Sequence, residues 1–136
     1  MPLLIADRVM ETSATTGVGP YVLAGAVPGY RAVSSVGAPS DTFYYFAEHL
    51  DIDGAPSGGW EVGLGTINAN MTIDRTAVHA SSNMNLAVAW AAGIVRIGIG
   101  LSATQITGFS ISVINAAARL IQTQSIVAGI VARGNL

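Results

Sequence analysis

Cysteine and lysine are both absent from this chain of 136 residues. Without cysteine, the chain forms no disulfide and offers no thiolate ligand to a metal ion. All six cations are arginine, so lysine does not protect exposed strand edges against pairing, as it does in many β-proteins. We therefore expect neighbouring chains to cover the strand edges of this protein.

Charge is also scarce, and apolar residues are abundant. Charged residues make up 10% of the chain and apolar residues 51%, whereas about 25% charged residues is usual. This composition excludes a disordered chain, which needs low hydrophobicity and high net charge. The net charge of −2 excludes nucleic-acid binding by a broad basic face. A domain of this size cannot bury so much apolar surface internally, so we interpret the chain as a subunit of an assembly.

The few charges are divided unevenly along the sequence. Residues 1–74 hold all eight acids and two arginines, which gives −6, and residues 75–136 hold four arginines, which gives +4. In a chain with so few charges, this division can arise by chance. It is also what complementary faces that orient neighbouring subunits require.

No segment has the pattern of a targeting or membrane-spanning sequence. The N-terminal residues lack a basic region, and Asp7 interrupts them before the apolar region of a secretory signal can form. The longest apolar stretch, Leu86–Leu101, has 16 residues and includes Arg96, whereas a spanning helix needs about 18 or more. We expect neither a membrane nor a nucleic acid as a partner.

Strand patterns dominate residues 1–101. Tyr21–Ala24 is followed by a turn signal at Val27–Tyr30, and Asp41–Ala47 is a continuous aromatic run typical of a strand buried on both faces. Trp60–Ile73 predicts a hairpin, and Ile94–Leu101 predicts a further alternating strand. Short strands separated by turns are typical of an all-β sandwich or barrel. We predict a jelly-roll-like β-sandwich.

Residue types alternate strictly in the first strand of the predicted hairpin. Trp60, Val62 and Leu64 share one face, and Glu61 shares the other face with two glycines. We expect the apolar face to pack in the core, and we expect Arg75 to be an ion-pair partner. The alternative is a sugar-stacking platform of the kind that lectin-like modules use, formed by Tyr44, Tyr45, Trp60 and Trp90.

The last 35 residues are apolar, and their pattern is ambiguous. Asn115–Ile121 favours one short helix, Ser110–Ile114 fits a helix or a strand, and Ser125–Ala132 is typical of a buried strand. We predict a β-sandwich domain over residues 1–101 and an apolar extension over 102–136 that belongs to the same fold or forms the oligomer contact. The residues predicted for that contact are Ile111, Val113, Ile114, Ile121, Ile126, Val127, Ile130 and Val131.

A glycine motif near the end of the last predicted strand matches a dinucleotide-binding fingerprint. The residues Gly98-Ile99-Gly100-Leu101-Ser102-Ala103 have the required spacing. The fingerprint also needs an acidic residue about 20 positions later to bind the ribose, and no acid follows Asp74. We therefore interpret Gly98 and Gly100 as residues that make room for a packed neighbour.

The polar residues indicate no other chemistry. Asp51–Gly54 is similar to the start of a calcium loop, but the next ligand position is Ala55, so a solvated acidic turn is favoured over a weak ion site. Glu48 and Asp51 would support glycosidase chemistry at the right separation, as carboxylate pairs on many surfaces would. His49 and His79 do not have the helical spacing of a zinc site. We predict no catalytic residue, no cofactor, no metal and no enzymatic activity.

Four blocks of sequence, in order, carry a resemblance to a known family. They are Asp7–Thr12 with Thr15–Gly17, Leu23–Arg31, Trp60–Thr66 and Arg75–Asn83. They resemble a β-rich domain that recurs in virion proteins of tailed bacteriophages, whose usual forms read D-R-V-x-E-T, L-A-G-A-V-x-G-(Y/F), W-E-V-G-x-G-T and R-T-x-V-x-A-S-S-N. The resemblance spans about residues 6–101.

The resemblance implies a structural part of a virion, assembled in the host cytoplasm, with no catalytic residues. Such domains occur in tail, neck, head-fibre and fibre-attachment components, usually as an N-terminal anchor ahead of other sequence. After Leu101 this chain departs from the family pattern, which favours a compact capsid decoration, cement or fibre-anchoring piece. We expect a homo-oligomer, with a trimer favoured, that contacts the major capsid protein or neck and tail proteins. The alternative is a tail or neck component with a carbohydrate-binding or receptor-binding role.

Overall fold

The computed structural model describes residues 2–101 and residue 103 of the chain. The predicted extension over 102–136, with its expected helix and strands, lies outside the described residues except for residue 103. The described residues form six strands and one 3-10 turn. The strands are β1 (Met10–Ser13), β2 (Leu23–Ala26), β3 (Thr42–Leu50), β4 (Pro56–Ile67), β5 (Ile73–Ser81) and β6 (Ile94–Ile99), and the 3-10 turn is Val33–Ser35.

The six strands belong to one antiparallel sheet, in the order β2-β1-β6-β3-β4-β5. The predicted all-β fold is therefore confirmed. The sandwich arrangement is not confirmed, because the described strands form a single sheet. This sheet curls until its two ends touch. Tyr21, just before β2, and Ile73, the first residue of β5, exchange two backbone hydrogen bonds of 2.9 and 3.0 Å.

The hairpin predicted for Trp60–Ile73 is present as β4 and β5. Its turn is closed by the backbone N–H of Met71, which donates to the carbonyl oxygen of Asn68 at 2.9 Å. The side-chain amide of Asn68 also donates to Thr72 and Asp74, at 2.9 Å in each case. Asparagine stabilises turns through such local side-chain bonds, so the turn follows directly from the sequence.

The first two strands differ from the sequence-based expectation. The strand expected at Tyr21–Ala24 begins two residues later, as β2, and pairs with β1. No pattern predicts β1, because its two buried residues are the polar side chains of Glu11 and Ser13. Periodicity analysis identifies a buried strand face by its apolar residues, and β1 has polar residues there.

The core lies on the concave side of the curled sheet. From β3 it takes Phe43, Tyr45 and Ala47, and from β6 it takes Val95 and Ile97. The alternation predicted for this last strand is present, since Val95 and Ile97 are buried and Arg96 between them is only half-buried. The expectation that the aromatic run of β3 is buried on both faces is wrong, because its burial alternates and the residues between the core positions are only half-buried.

The orientation expected for β4 is also wrong. Its buried face carries Glu61, Gly63 and Gly65, whereas Trp60 lies on the opposite face and is 44% exposed. The physical reason is the lack of space for a side chain on this face beside β3 and β5. A Cβ atom at Gly63 would lie 2.2 Å from the Ala77 carbonyl oxygen and 3.0 Å from the Tyr45 hydroxyl, and one at Gly65 would lie 2.8 Å from the Ile73 side chain and 3.3 Å from the Tyr45 ring.

The interpretation of Gly98 and Gly100 as space for a neighbour is confirmed. Phe46 lies directly opposite Gly98 in the β3–β6 register. A Cβ atom at Gly98 would lie 2.6 Å from the Phe46 ring, and one at Gly100 would lie 3.1 Å from it. The phenylalanine ring therefore covers both glycines on the convex side of the sheet.

Candidate functional site

The concave side of the sheet contains a cluster of buried polar residues centred on Glu61 of β4, which is fully buried. Its carboxylate accepts five hydrogen bonds. Tyr21 and Tyr45 donate their hydroxyls at 3.0 and 2.5 Å, and the backbone N–H of Val88 donates at 2.8 Å. Arg75 of β5 donates the other two bonds and forms an ion pair with Glu61. The prediction of Arg75 as an ion-pair partner is confirmed.

The same cluster ties two loops to the sheet. Arg75 donates to the carbonyl oxygens of Gly17 and Val88, at 3.4 and 2.8 Å. The indole N–H of Trp90 donates to the Tyr21 hydroxyl at 3.1 Å, and the Arg75 guanidinium lies over the rings of Tyr21 and Trp90. These bonds hold the loops that contain Gly17 and Val88 against the sheet.

The surroundings of this cluster set its protonation. Burial alone would raise the pKa of Glu61, but the hydrogen bonds from Arg75, Tyr45 and the Val88 amide outweigh burial and hold that pKa below its ordinary value. Burial raises the pKa of Tyr21 and of Tyr45 well above the ordinary range, and the adjacent Glu61 carboxylate raises both further. Glu61 is therefore ionised and both phenols are neutral at neutral pH.

This cluster is suited to holding the fold together and not to turning over a substrate. Among the described residues, no fully buried side-chain nitrogen or oxygen lacks a hydrogen-bond partner. The Glu61 carboxylate is saturated by its five donors, so it has no lone pair available to accept a proton from a substrate. General acid–base catalysis needs such access.

The acidic residues at the β3–β4 turn have structural partners. The Asp51 carboxylate accepts the backbone N–H groups of Asp53 and Ala55, at 3.0 and 2.9 Å, and so closes its own turn. Glu48 forms an ion pair with Arg96 of β6. Within residues 2–101 and residue 103, no three His, Asp or Glu side chains are grouped as metal ligands would be. The two hydrogen bonds that Asp51 accepts give the turn interpretation of Asp51–Gly54 a direct structural basis.

His49 and Ser57 form the contact closest to a catalytic arrangement. The Nδ1 atom of His49 lies 2.7 Å from the Ser57 hydroxyl oxygen, and Nε2 lies 3.3 Å from the carbonyl oxygen of Ala92. The Ser57 hydroxyl also lies 3.1 Å from the His49 carbonyl oxygen. The second ring nitrogen faces a backbone carbonyl where a hydrolytic triad has a carboxylate. We assign this contact to holding the end of the β3–β4 hairpin against residue 92.

The convex side of the sheet carries the surface best suited to contacting another molecule. Tyr44 and Phe46 of β3 lie directly opposite Leu64 and Val62 of β4. All four are half-buried and face away from the core. We call these four residues the outer apolar band. Antiparallel sheets usually carry polar residues on the face opposite the core, so this band departs from the usual pattern.

Polar residues border the outer apolar band at both ends. At one end, Trp60 lies opposite Glu48, which pairs with Arg96. At the other end, the hydroxyls of Thr66 and Thr76 lie 2.5 Å apart. Apolar residues enclosed by a polar rim are the arrangement found in protein–protein contact surfaces.

The four aromatic residues proposed as an alternative sugar platform do not lie on one surface. Tyr45 and Trp90 are buried in the core, and Trp60 is exposed. Tyr44 is half-buried and lies tilted against the His79 ring, with 5.7 Å between the ring centroids. The expectation of core packing is thus confirmed for Tyr45 and Trp90 and is wrong for Tyr44 and Trp60. The eight oligomer-contact residues predicted between Ile111 and Val131 lie outside the described residues.

Sequence reasoning missed the central position of Glu61. The signal that was available is the pattern of the strand itself, in which one acid and two glycines share a face. Glycines on a strand face indicate the close approach of another group, and here β5 and the Tyr45 side chain both approach closely. Arg75 is the first arginine after Glu61 in the sequence, and its opposite charge indicates that it is the partner of the buried carboxylate.

Comparisons of this chain with known protein families, curated proteins and solved structures find no match. No helix in the described part of the chain combines the length and the apolar composition needed to span a membrane.

Proposed function

We propose that this protein is a structural virion component of a tailed phage, a homo-oligomeric capsid decoration, cement or fibre-anchoring piece that acts by adhesion. The observation that supports an adhesive role is the outer apolar band, which lies on the face of the sheet that does not form the core. The assignment to a tailed phage rests on the four sequence blocks and their order. The proposed partners are copies of the same chain, a trimer being favoured, together with the major capsid protein or neck and tail proteins.

Adhesion of this kind needs apolar area and no chemistry. Covering apolar surface is worth roughly 25 cal/mol per Å² before the costs of association are subtracted. An interface of standard size buries about 1,600 Å² in total, which is more than four side chains provide. The outer apolar band would therefore be the centre of a larger contact, with the polar rim at Glu48 and Thr66 around it. The oligomer contact predicted between Ile111 and Val131 remains a separate prediction.

The test is the oligomeric mass of the purified protein by light scattering, with and without tailless capsids of the same phage. A trimer that sediments with the capsids supports a head decoration or the base of a head fibre. A defined oligomer that does not bind capsids supports the neck or tail. A stable monomer that binds neither capsids nor tails would overturn the proposal.

A pair of double variants tests whether the outer apolar band supplies the contact. Val62→Thr with Leu64→Thr makes the band polar and keeps residue types that favour strands, so we expect a lower oligomeric mass or weaker binding to capsids. The matched control is Ile52→Thr with Met84→Gln, since these residues are 100% and 84% exposed and lie in loops away from the band. Equal loss in both double variants would show that general hydrophobicity, and not this face, drives assembly.

The second candidate function is a tail or neck component that binds carbohydrate, and the exposure of Trp60 is the observation that favours it. Trp60 is 44% exposed and Trp90 is 3% exposed, so single-tryptophan variants separate their signals. In Trp90→Phe, acrylamide should quench the fluorescence of Trp60, and a bound glycan should protect it. Trp60→Phe is the control. Quenching that stays the same with bacterial surface polysaccharides present would contradict this role.

A further inference from the structure

Two loops on the concave side of the sheet are joined to each other. Residues 14–20 lie between β1 and β2, and residues 87–91 lie between β5 and β6. The backbone N–H of Gly17 donates to the carbonyl oxygen of Trp90 at 2.8 Å, and the N–H of Trp90 donates to the carbonyl oxygen of Gly17 at 3.0 Å. We call these two joined segments the strap. Neither segment belongs to one of the six strands, so other contacts fix the strap to the sheet.

The ion pair of Glu61 and Arg75 is bonded to both halves of the strap. The Glu61 carboxylate accepts the backbone N–H of Val88 at 2.8 Å. The Arg75 guanidinium donates to the carbonyl oxygen of Val88 at 2.8 Å and to that of Gly17 at 3.4 Å. Both backbone groups of Val88 are thus bonded to this ion pair, and both backbone groups of Trp90 are bonded to Gly17. Two side chains of the sheet therefore take the place that a neighbouring strand has in a ladder.

The remaining contacts of the strap are of two kinds. Local hydrogen bonds join Thr15 to Ser13 and Val22 and join Ala87 to Asn83. The other contact is the ring of Trp90, which is 3% exposed. Its N–H donates to the Tyr21 hydroxyl, and a Cβ atom at Gly59 of β4 would lie 3.4 Å from the ring. The Arg75 guanidinium lies over the same ring, so the ion pair and the ring, which anchor the strap beyond its local bonds, depend on each other.

The strap and the centre of the sheet differ in how they are held. Every strap residue except Trp90 is exposed or half-buried. β3, in contrast, lies between β4 and β6 and contributes Phe43 and Tyr45 to the core. Segments with few buried apolar contacts open locally at a smaller free energy than the unfolding of core strands requires. We therefore expect the strap to open while β3 and its neighbours stay paired.

The charge of the Glu61 carboxylate decides whether the ion pair holds. The titratable groups that contact it are Tyr45 from β3, Arg75 from β5 and Tyr21 from the segment before β2, and residues 87–91 add only a backbone N–H. Although burial alone would raise the pKa of Glu61, these hydrogen bonds hold it below its ordinary value. Glu61 is therefore charged at neutral pH and takes up a proton only in acid. Protonation removes the charge and places an O–H among five donors, so the bonds to this carboxyl are weakened or lost.

We propose that the strap opens as a single unit while the sheet stays folded, and that the Glu61–Arg75 ion pair is the latch that acid releases. Uptake of one proton by Glu61 removes the charge that balances Arg75, and it weakens the bonds to Val88 and Gly17 together. In the open state the Trp90 ring leaves the core and becomes accessible to solvent. The fold thus contains a pH-sensitive device, and this inference does not rest on the virion role.

The test is native-state hydrogen exchange of the full chain by NMR at pH 7 and pH 3, with each rate corrected for the intrinsic exchange rate of its amide. The amides of Gly17, Val88 and Trp90 report on the strap, and those of Tyr45 and Phe46 report on β3. We expect the protection of the three strap amides to fall together in acid, at least tenfold more than that of the β3 amides. Unchanged strap protection, equal loss at strap and sheet, or loss at Val88 alone would overturn the proposal.

Two matched variants assign the pH dependence to the latch. Glu61→Gln removes the charge at every pH, so the strap should be at least tenfold less protected at pH 7 and should change little between pH 7 and pH 3. The control is Glu48→Gln, since Glu48 also pairs with an arginine on a neighbouring strand but lies on the convex side. It should behave like the unaltered protein. An acid-dependent loss of strap protection that persists in Glu61→Gln would refute the assignment of the latch.

Tryptophan fluorescence gives a second measurement that leaves the ion pair unaltered. In Trp60→Phe, Trp90 is the only tryptophan of the chain. We expect acrylamide to quench it several times more strongly at pH 3 than at pH 7, while the far-UV circular dichroism of the sheet is retained. Quenching that does not change with pH, or a parallel loss of the sheet signal, would contradict local opening of the strap.

Discussion

Replacement of Arg75 by methionine should destabilise this protein strongly, because it leaves Glu61 as a buried carboxylate without a cation. Methionine keeps most of the length and apolar bulk of the side chain. Glu61 would lose two of its five hydrogen bonds and its only ion-pair partner among the described residues. Removing one member of a buried pair costs about 3–5 kcal/mol. We expect Arg75→Met to lower the free energy of unfolding by this amount.

The assay is urea unfolding at pH 7 and one protein concentration, followed by tryptophan fluorescence, since Trp90 belongs to the same cluster. Arg96→Met is the matched control. Arg96 also pairs with a glutamate on the neighbouring strand, but the two side chains, Arg96 and Glu48, are 28% and 25% exposed. Partly exposed pairs of this kind contribute about 0–1 kcal/mol. A loss in Arg75→Met no larger than the loss in Arg96→Met would refute the reasoning.

A double variant separates the loss of charge balance from the loss of packing. Glu61→Gln with Arg75→Met removes both charges and leaves an amide that can still accept from Tyr21 and Tyr45. We expect the double variant to be less destabilised than the sum of the two single variants, since each single change leaves an unpaired buried charge. Simple additivity would mean that the two side chains act through packing alone.

Three further outcomes follow from the buried cluster and the glycines. The pKa values of Tyr21 and Tyr45 are raised in the folded protein, so the contribution of these two tyrosines to stability should be fully present below pH 10 and should be lost as the pH rises further. Urea midpoints measured between pH 8 and 11 will show this fall, and Tyr45→Phe should reduce its slope. The pKa of Glu61 is lowered from 4.5, so its contribution should be present above pH 4.5 and lost as the pH falls further, and an unchanged midpoint at pH 3 would contradict this. Gly63→Ala should cost about 1–3 kcal/mol or more, because its Cβ would lie 2.2 Å from the Ala77 carbonyl oxygen, whereas Gly59→Ala, with its closest contact at 3.4 Å, should cost much less in the same unfolding assay.

The parts of the fold that the sequence predicts are those that local residue patterns specify, whichever face of the strand is buried. The β4–β5 hairpin follows from two alternating segments and an asparagine turn, and β6 follows from its alternating valine and isoleucine residues. In both cases the strands are identified by their period of two, whichever face is buried. Gly98 and Gly100 could be interpreted in the same way, because a glycine in a strand indicates the close approach of another group.

The parts that the sequence does not predict are those where buried side chains are polar. β1 buries Glu11 and Ser13, so its apolar pattern is missing. β4 buries Glu61 and exposes Trp60. The alternation of its residues therefore predicts the strand correctly but predicts the wrong buried face. These positions depend on partners that are distant in sequence, since Glu61 meets Tyr21 forty residues away and Glu11 meets Val33 22 residues away. A single strand holds no information about such partners.

The inverted orientation of β4 also links the fold to the proposed role. An interior built on Glu61 and Arg75 is held by hydrogen bonds and charge, and the glycines of β4 leave room in it for Tyr45 and for the neighbouring strand β5. The apolar residues of the same strand, Val62 and Leu64, are therefore not needed to fill that interior, yet they lie beside Tyr44 and Phe46 on the opposite face. An apolar face outside the core adds to the risk of aggregation unless another surface covers it. This cost favours a protein that functions in an assembled state, with the outer apolar band at a contact.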